Sequence, residues 1–306
     1  MVTEEYASAG AGSIRSRIWE PRGEALGVVQ IVHGIAEHTL RYAEFAEYLT
    51  QHGYIVAAED HMGHGESVSK ALPLGCIRGG WDAMVSDVHA LTLRLKERWP
   101  DLPLFLLGHS MGSFLARTCL YTWPGEALKG VVLIGTGWQP GPVLAAGRLI
   151  AAGEVRRRGA DDPSEKLQGL MFGAYGKQFP GETSPHAWIC SDPAVVALYE
   201  RDPLNGFVPG AGLAAALLEG LARNQKKENL AKMPKETPVL FLAGTLDPVG
   251  SKGKGVRQSF DAFRKAGMKD LALKLYEGDR HEVLNEKDKA KVWSDVLRWL
   301  EEKRLG

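Results

Sequence analysis

Ser110 lies between two glycines in Gly108-His109-Ser110-Met111-Gly112, directly after the apolar run Leu104–Leu107 and before a helical pattern. A serine hydroxyl is a poor nucleophile unless a base takes its proton and the backbone projects it toward that base. The G-x-S-x-G pattern between a strand and a helix meets the second need. Its glycines remove Cβ clashes from a tight turn, and the helix that follows aims free N–H groups and its positive dipole end at a developing oxyanion. The pattern predicts acyl transfer through a serine nucleophile.

A base and an acid must complete that chemistry. After a nucleophile of this kind the acid comes next in the chain and the histidine last. Of nine histidines only His186 and His281 follow Ser110. His186 lies after Pro185 in a loop-rich stretch, whereas His281 follows the strand-like run Leu271–Tyr276, so His281 is the expected base. Asp247, in Gly244-Thr245-Leu246-Asp247-Pro248-Val249, follows the run Val239–Gly244 and is the expected acid. Asp279 is a rival only two residues from His281, in what reads as an exposed turn. Asp161, Asp162, Asp192 and Asp202 fall in the helical middle of the chain, and Asp261 and Asp270 read as surface positions. An oxyanion needs two donors. The Met111 N–H is one, and His33-Gly34-Ile35 supplies the other through the Ile35 N–H, with Gly34 allowing backbone to approach substrate. His33 reads as a hydrogen-bonding loop residue rather than a base.

These residues need a scaffold that brings strand ends together. Gly27–Val32, Tyr54–Ala58, Pro103–Leu107 and Val131–Ile134 are short apolar runs of the kind that form buried parallel strands. Met84, Val88, Leu91, Leu95 and Trp99 recur at helical spacing between them. The alternation predicts an α/β fold, a mostly parallel sheet with helices on both faces. It breaks after Trp138 and resumes at Pro238–Ala243, followed by helices near Val256–Lys265 and Lys287–Lys303. The expected organisation is a core over residues 1–137 and 235–306, interrupted by a helical cap over 138–234. The cap residues Leu149, Ile150, Met171, Phe172, Phe207, Leu213 and Leu217 are candidates for an apolar substrate lining.

Thirty-seven basic residues balance thirty-seven acidic ones, which leaves no field to attract nucleic acid. Three scattered cysteines make neither a disulfide framework nor a zinc site. Asp60, His61 and His64 sit in a glycine-rich loop and are expected to shape it rather than hold a metal; no metal or other cofactor is expected. Arg156-Arg157-Arg158 reads as a solvated helix end. The first ten residues lack the basic head and apolar stretch of a signal peptide, and no apolar run reaches the roughly 20 residues of a membrane span. The expected compartment is the cytoplasm.

The segments His33-Gly34-Ile35-Ala36-Glu37-His38 with Arg41-Tyr42, Asp60-His61-Met62-Gly63-His64-Gly65-Glu66-Ser67, the elbow at Ser110, Asp247-Pro248-Val249 and Arg280-His281-Glu282 together resemble the monoacylglycerol lipase and lysophospholipase branch of the α/β-hydrolases, among the serine aminopeptidase-type enzymes. The resemblance spans residues 28 to 300. It implies the α/β-hydrolase fold with a helical lid, no cofactor, and hydrolysis of acyl esters bearing one long chain. The implied partner is a small acyl ester or lipid, met by transient contact with a membrane or micelle surface. Ser113 stands where many members have glycine, and its expected effect is on helix packing alone. Two other readings stay open: an amidase or aminopeptidase using the same triad, with Glu154, Glu182 or Glu219 holding the substrate amine, and a catalytically idle binding protein on the hydrolase fold.

Overall fold

In a computed structural model that describes Met1–Gly306, the sheet begins with two strands that no apolar run announces. β1 (Val2–Ala7) and β2 (Ser13–Trp19) pair antiparallel at one edge, and β2 runs antiparallel to β4 (Tyr54–Glu59). β1 buries only Tyr6, and its Glu4 and Glu5 occupy an edge where charge discourages further strand pairing. The remaining strands are the expected ones: β3 (Gly27–Val32), β4, β5 (Leu104–His109), β6 (Gly130–Ile134), β7 (Val239–Gly244) and β8 (Leu271–Tyr276). All six are parallel, in the order β1-β2-β4-β3-β5-β6-β7-β8.

Alternate residues of each central strand serve opposite layers. Leu104 and Leu106 of β5, with Val131 and Leu133 of β6, face α2 (Gly80–Arg98), α3 (Met111–Thr122) and α9 (Lys254–Lys265). Phe105, Leu107, Val132 and Ile134 face α1 (Ala43–Gln51) and α10 (Lys289–Leu305). Burying each such side chain contributes roughly 1.5–3 kcal/mol, so β5 and β6 are anchored from both sides. The strands between β4 and β8 therefore present their carboxyl ends along one edge, where open α/β sheets bind ligands.

Five α-helices stand between β6 and β7: α4 (Gly141–Arg158), α5 (Glu165–Phe172), α6 (Pro193–Arg201), α7 (Ala211–Asn224) and α8 (Lys227–Lys232). They do more than cover the sheet edge. Leu213, Ala216 and Leu217 of α7 join the same apolar core as Trp81 and Phe114. A Cβ on Gly220 would stand 2.2 Å from the Trp81 ring, so α7 seats directly on α2. No helix is long and apolar enough to cross a membrane.

Candidate active site

Ser110 sits between the last residue of β5 and the first turn of α3 with φ 51° and ψ −121°, a conformation that costs an L-residue roughly 1–3 kcal/mol. The surrounding packing holds it there. Ser110 N–H donates to Ile134 O at 2.9 Å, and the Ser113 hydroxyl donates to Ser110 O at 2.6 Å. Ser113 thus braces the turn itself, a different role from the helix packing expected of it. The two flanking glycines are required by close approach: a Cβ on Gly108 would lie 2.4 Å from Gly112 O, and one on Gly112 would lie 1.9 Å from Val32 O. The left-handed strain falls on the serine alone.

The loops after β7 and β8 bring Asp247 and His281 together. His281 Nδ1–H donates to Asp247 Oδ1 at 3.0 Å, and that oxygen also accepts the Val249 N–H at 2.8 Å. Asp247 is fully buried, and the imidazole lies 4.8 Å from the His109 ring and 5.2 Å from the Trp188 ring, centre to centre. Of the two His281 ring nitrogens, Nδ1 is the one held by a side-chain partner, which leaves Nε2 for the Ser110 side. His186 lies elsewhere, paired with Glu200 at 3.0 Å. Asp279 is also not at the imidazole. Burial first, and then the charges of Glu286 and Asp288, push its carboxyl up to about 7.

Ile35 and Met111 both line the cavity that Ser110 opens into. Met111, as the first residue of α3, has no intrahelical partner for its amide, and the Ile35 amide makes no backbone hydrogen bond. Gly34 is placed so that a Cβ would meet Ser110 Cβ at 3.0 Å and Glu37 Oε1 at 2.6 Å. His33 fixes the Gly34–Ile35 peptide. Its Nε2 accepts the His61 N–H at 3.0 Å, so the proton is on Nδ1 and is donated to Gly34 O at 2.7 Å. Burial, with His61 and His64 beside it, holds the His33 pKa well below the ordinary imidazole value, which keeps this tautomer neutral.

A buried charge network not assigned from the sequence touches the loop after β3 at Gly34, the elbow at His109 and the loop after β8 at Glu282. Glu37 accepts from Gly34 N–H at 2.5 Å, from the Tyr42 hydroxyl at 2.8 Å and from Arg41 at 2.6 Å. Arg41 also makes a two-pronged pair with Glu282 at 2.6 and 2.7 Å. Burial alone would raise the Glu37 pKa, but His109 and then Arg41 hold it well below the usual carboxylate range. Asp60 is similarly occupied, by Arg17 at 2.8 Å and by the amides of Thr39 and Glu66, each at 2.9 Å. Its loop is built around its carboxylate.

The cavity over Ser110 has a volume of about 520 Å³, and 17 of its 22 lining residues are apolar. Of the candidate lining residues, Met171, Phe172, Ile150 and Leu217 border this cavity, together with Val143, Leu170, Leu218 and Tyr175. Leu149, Leu213 and Phe207 do not. Leu149 is 77% exposed on the outer side of α4, bordering a separate hollow beside Arg148 and Trp81. Adjacent helical residues point about 100° apart, so Ile150 takes the inner face and Leu149 cannot. Leu213 is consumed by the core beneath α7. Phe207 packs on His64 at 5.2 Å and lines an adjoining hollow of about 740 Å³, with Lys177, Glu182 and His186, that shares Ile35 and Phe172 with the first. None of the carboxylates proposed for an amine lines the Ser110 cavity. Glu154 pairs with Arg157 and Lys166, Glu182 with Arg280, and Glu219 with Arg148 and Arg223.

A family profile described as serine aminopeptidase, S33, matches residues 23–288. The monoacylglycerol lipase of Mycolicibacterium smegmatis is 31% identical over 303 residues, covering 97% of this chain and 96% of its own. The human monoglyceride lipase is 28% identical over 295 residues, with 94% and 86% covered. A thermostable carboxyl esterase from Bacillus coagulans, solved with glycerol, superimposes with a TM-score of 0.92 at 28% identity, covering 99% of this chain and 98% of the other. A lipase in its open form gives 0.89 at 29% identity, with 99% of both chains covered.

Proposed function

The chain belongs to the serine aminopeptidase S33 family of α/β-hydrolases, and from that premise we propose that it hydrolyses carboxylic esters with one acyl chain, monoacylglycerols or lysophospholipids, through an acyl-enzyme on Ser110. The observation that carries this reading is the nucleophile's setting: Ser110 opens into a largely apolar cavity with no carboxylate to hold a substrate amine. The lipase names of the similar chains support it.

In this reading the acyl chain enters the apolar cavity, under a lid formed by residues 138–234, and sets its carbonyl carbon beside Ser110. His281 Nε2 takes the hydroxyl proton as Oγ attacks, while Asp247 holds the Nδ1–H tautomer and stabilises the imidazolium that forms. The amides of Ile35 and Met111 receive the oxyanion. Collapse of the tetrahedral intermediate gives the proton to the leaving alcohol, which departs toward the more polar neighbouring hollow. Water then repeats the sequence on the acyl-enzyme, and the fatty acid leaves. Three buried free cysteines suit a reducing, cytoplasmic setting, with substrate taken up by transient contact with a membrane or micelle surface.

The test compares a monoacylglycerol, a nitrophenyl ester and the anilide matching that ester, on wild type and Ser110→Ala. Ester turnover with little anilide turnover is expected, with the variant several orders of magnitude slower and still folded by circular dichroism. Anilide turnover as fast as the ester's would move the enzyme to amides. Failure of a fluorophosphonate to label Ser110 would leave only a binding protein.

A further inference from the structure

The loop carrying His281 is tied to the helical insertion as well as to the sheet. His281 N–H donates to Trp188 O at 3.4 Å, and Glu282 N–H donates to Ile189 O at 2.8 Å. The Glu286 carboxylate joins the two segments again, accepting the Arg280 N–H at 2.9 Å and the Ser191 N–H at 2.8 Å. The Arg280 guanidinium crosses the same seam. It donates to Ala187 O at 2.6 Å, to Cys190 O at 3.2 Å and to Glu182 at 2.7 Å, with its carbon 4.2 Å above the Phe179 ring centre.

Trp188 is held between those bonds. Its ring centre lies 5.2 Å from that of His281, while Tyr175 and Phe172 pack on it at 5.1 and 6.3 Å. Tyr175 and Phe172 also line the Ser110 cavity. Cavity wall, indole and imidazole therefore stand in series.

We propose that Arg280 is a positioning residue for the general base. By gathering the carbonyls of Ala187 and Cys190 it fixes the segment between them, which in turn fixes the His281 backbone and, through Trp188, the rotation of its ring. A planar fork can serve two carbonyls and a carboxylate at once, and a lysine ammonium on one flexible stem cannot keep all three. A misplacement of about 1 Å at a reacting group costs on the order of a hundredfold in rate. The series of rings adds a dependence on substrate: an acyl chain long enough to press on Phe172 and Tyr175 steadies Trp188 even when Arg280 is gone. This inference rests on His281 being the base.

The experiment measures kcat and KM for nitrophenyl butyrate and dodecanoate, and the rate of fluorophosphonate labelling, in wild type, Arg280→Ala, Arg280→Lys, Trp188→Leu and His281→Ala. Expected for Arg280→Ala is a kcat lower by roughly ten- to a hundredfold on butyrate with KM within about threefold, a smaller defect on dodecanoate, and slower labelling. Millimolar guanidinium, below denaturing levels, should restore part of the rate to Arg280→Ala and leave wild type unchanged. If Arg280→Ala fails to fold, Arg280→Lys and Trp188→Leu carry the test, each with a lowered kcat on butyrate. Wild-type kcat and labelling in the folded Arg280 variants would overturn the inference. Labelling that also survives in His281→Ala would instead overturn the reading of His281 as base.

Discussion

Gly147 lies on the cavity side of α4, where an added Cβ would meet only the Leu218 methyl carbons, at 3.5 and 3.6 Å. The Cβ of Gly147→Phe therefore fits at ordinary contact distance on the cavity wall, from which the ring takes up cavity space, and replacing a mid-helix glycine favours the helix by a few tenths of a kcal/mol. At roughly 30 Å³ per methylene, about the share of one water molecule in the liquid, the 520 Å³ cavity has room for about 17 chain carbons. Imperfect filling brings the expected wild-type optimum to acyl chains of about 12–16 carbons. Each buried methylene adds at most about 0.8 kcal/mol, close to fourfold in kcat/KM. The benzyl group carries seven carbons, so Gly147→Phe should move the optimum down by about seven and leave nitrophenyl acetate within about threefold of wild type. The assay is kcat/KM over nitrophenyl esters of two to sixteen carbons, each below its micellar concentration. An unmoved optimum, or an equal loss at every length, would refute the assignment of this cavity to the acyl chain. A wild-type profile falling steadily from acetate would reduce the site to a short-chain pocket.

Asp279→Asn should raise Tm at pH 8 and hardly at all at pH 4. Burial beside Glu286 and Asp288 pushes the folded pKa up to about 7, against about 3.9 in the unfolded chain, so this carboxyl's contribution to stability is complete below pH 4 and is lost as pH rises through 7. Scanning calorimetry at the two pH values decides it, and a gain independent of pH would contradict the assignment. Arg117 is fully buried with no carboxylate on it. Burial draws its pKa down to about 10, and it donates to Gly137 O at 3.0 Å, to the Thr136 and Ser259 hydroxyls at 3.3 Å and to Asn224 O at 3.4 Å. Arg117→Ala leaves a void and orphaned acceptors and should cost about 3–5 kcal/mol in urea unfolding. A loss below about 1 kcal/mol would show that water replaces the side chain freely.

The parts of this protein written plainly in its sequence are those governed by near neighbours. A strand buried on both faces must be apolar throughout, so Gly27–Val32 and Leu104–Leu107 announce themselves. The turn at Ser110 admits no side chain at Gly108, because Gly112 O stands 2.4 Å from where a Cβ would be. Asp247 and His281 could be singled out because each follows a strand-like run in the order this chemistry uses. β1 was silent for the opposite reason: an edge strand with one buried residue has no apolar period to show. Nothing along the chain foretold that Arg41 would meet Glu282, since a charge pair spanning 241 positions is chosen by the fold. Nor could sequence tell that Ile150 faces the cavity and Leu149 the solvent. Residue type sets how apolar a helix is, but the rotation of that helix about its axis is settled by packing against α2, α3 and the sheet, and a turn of about 100° exchanges the residue that faces the cavity for the one that faces water.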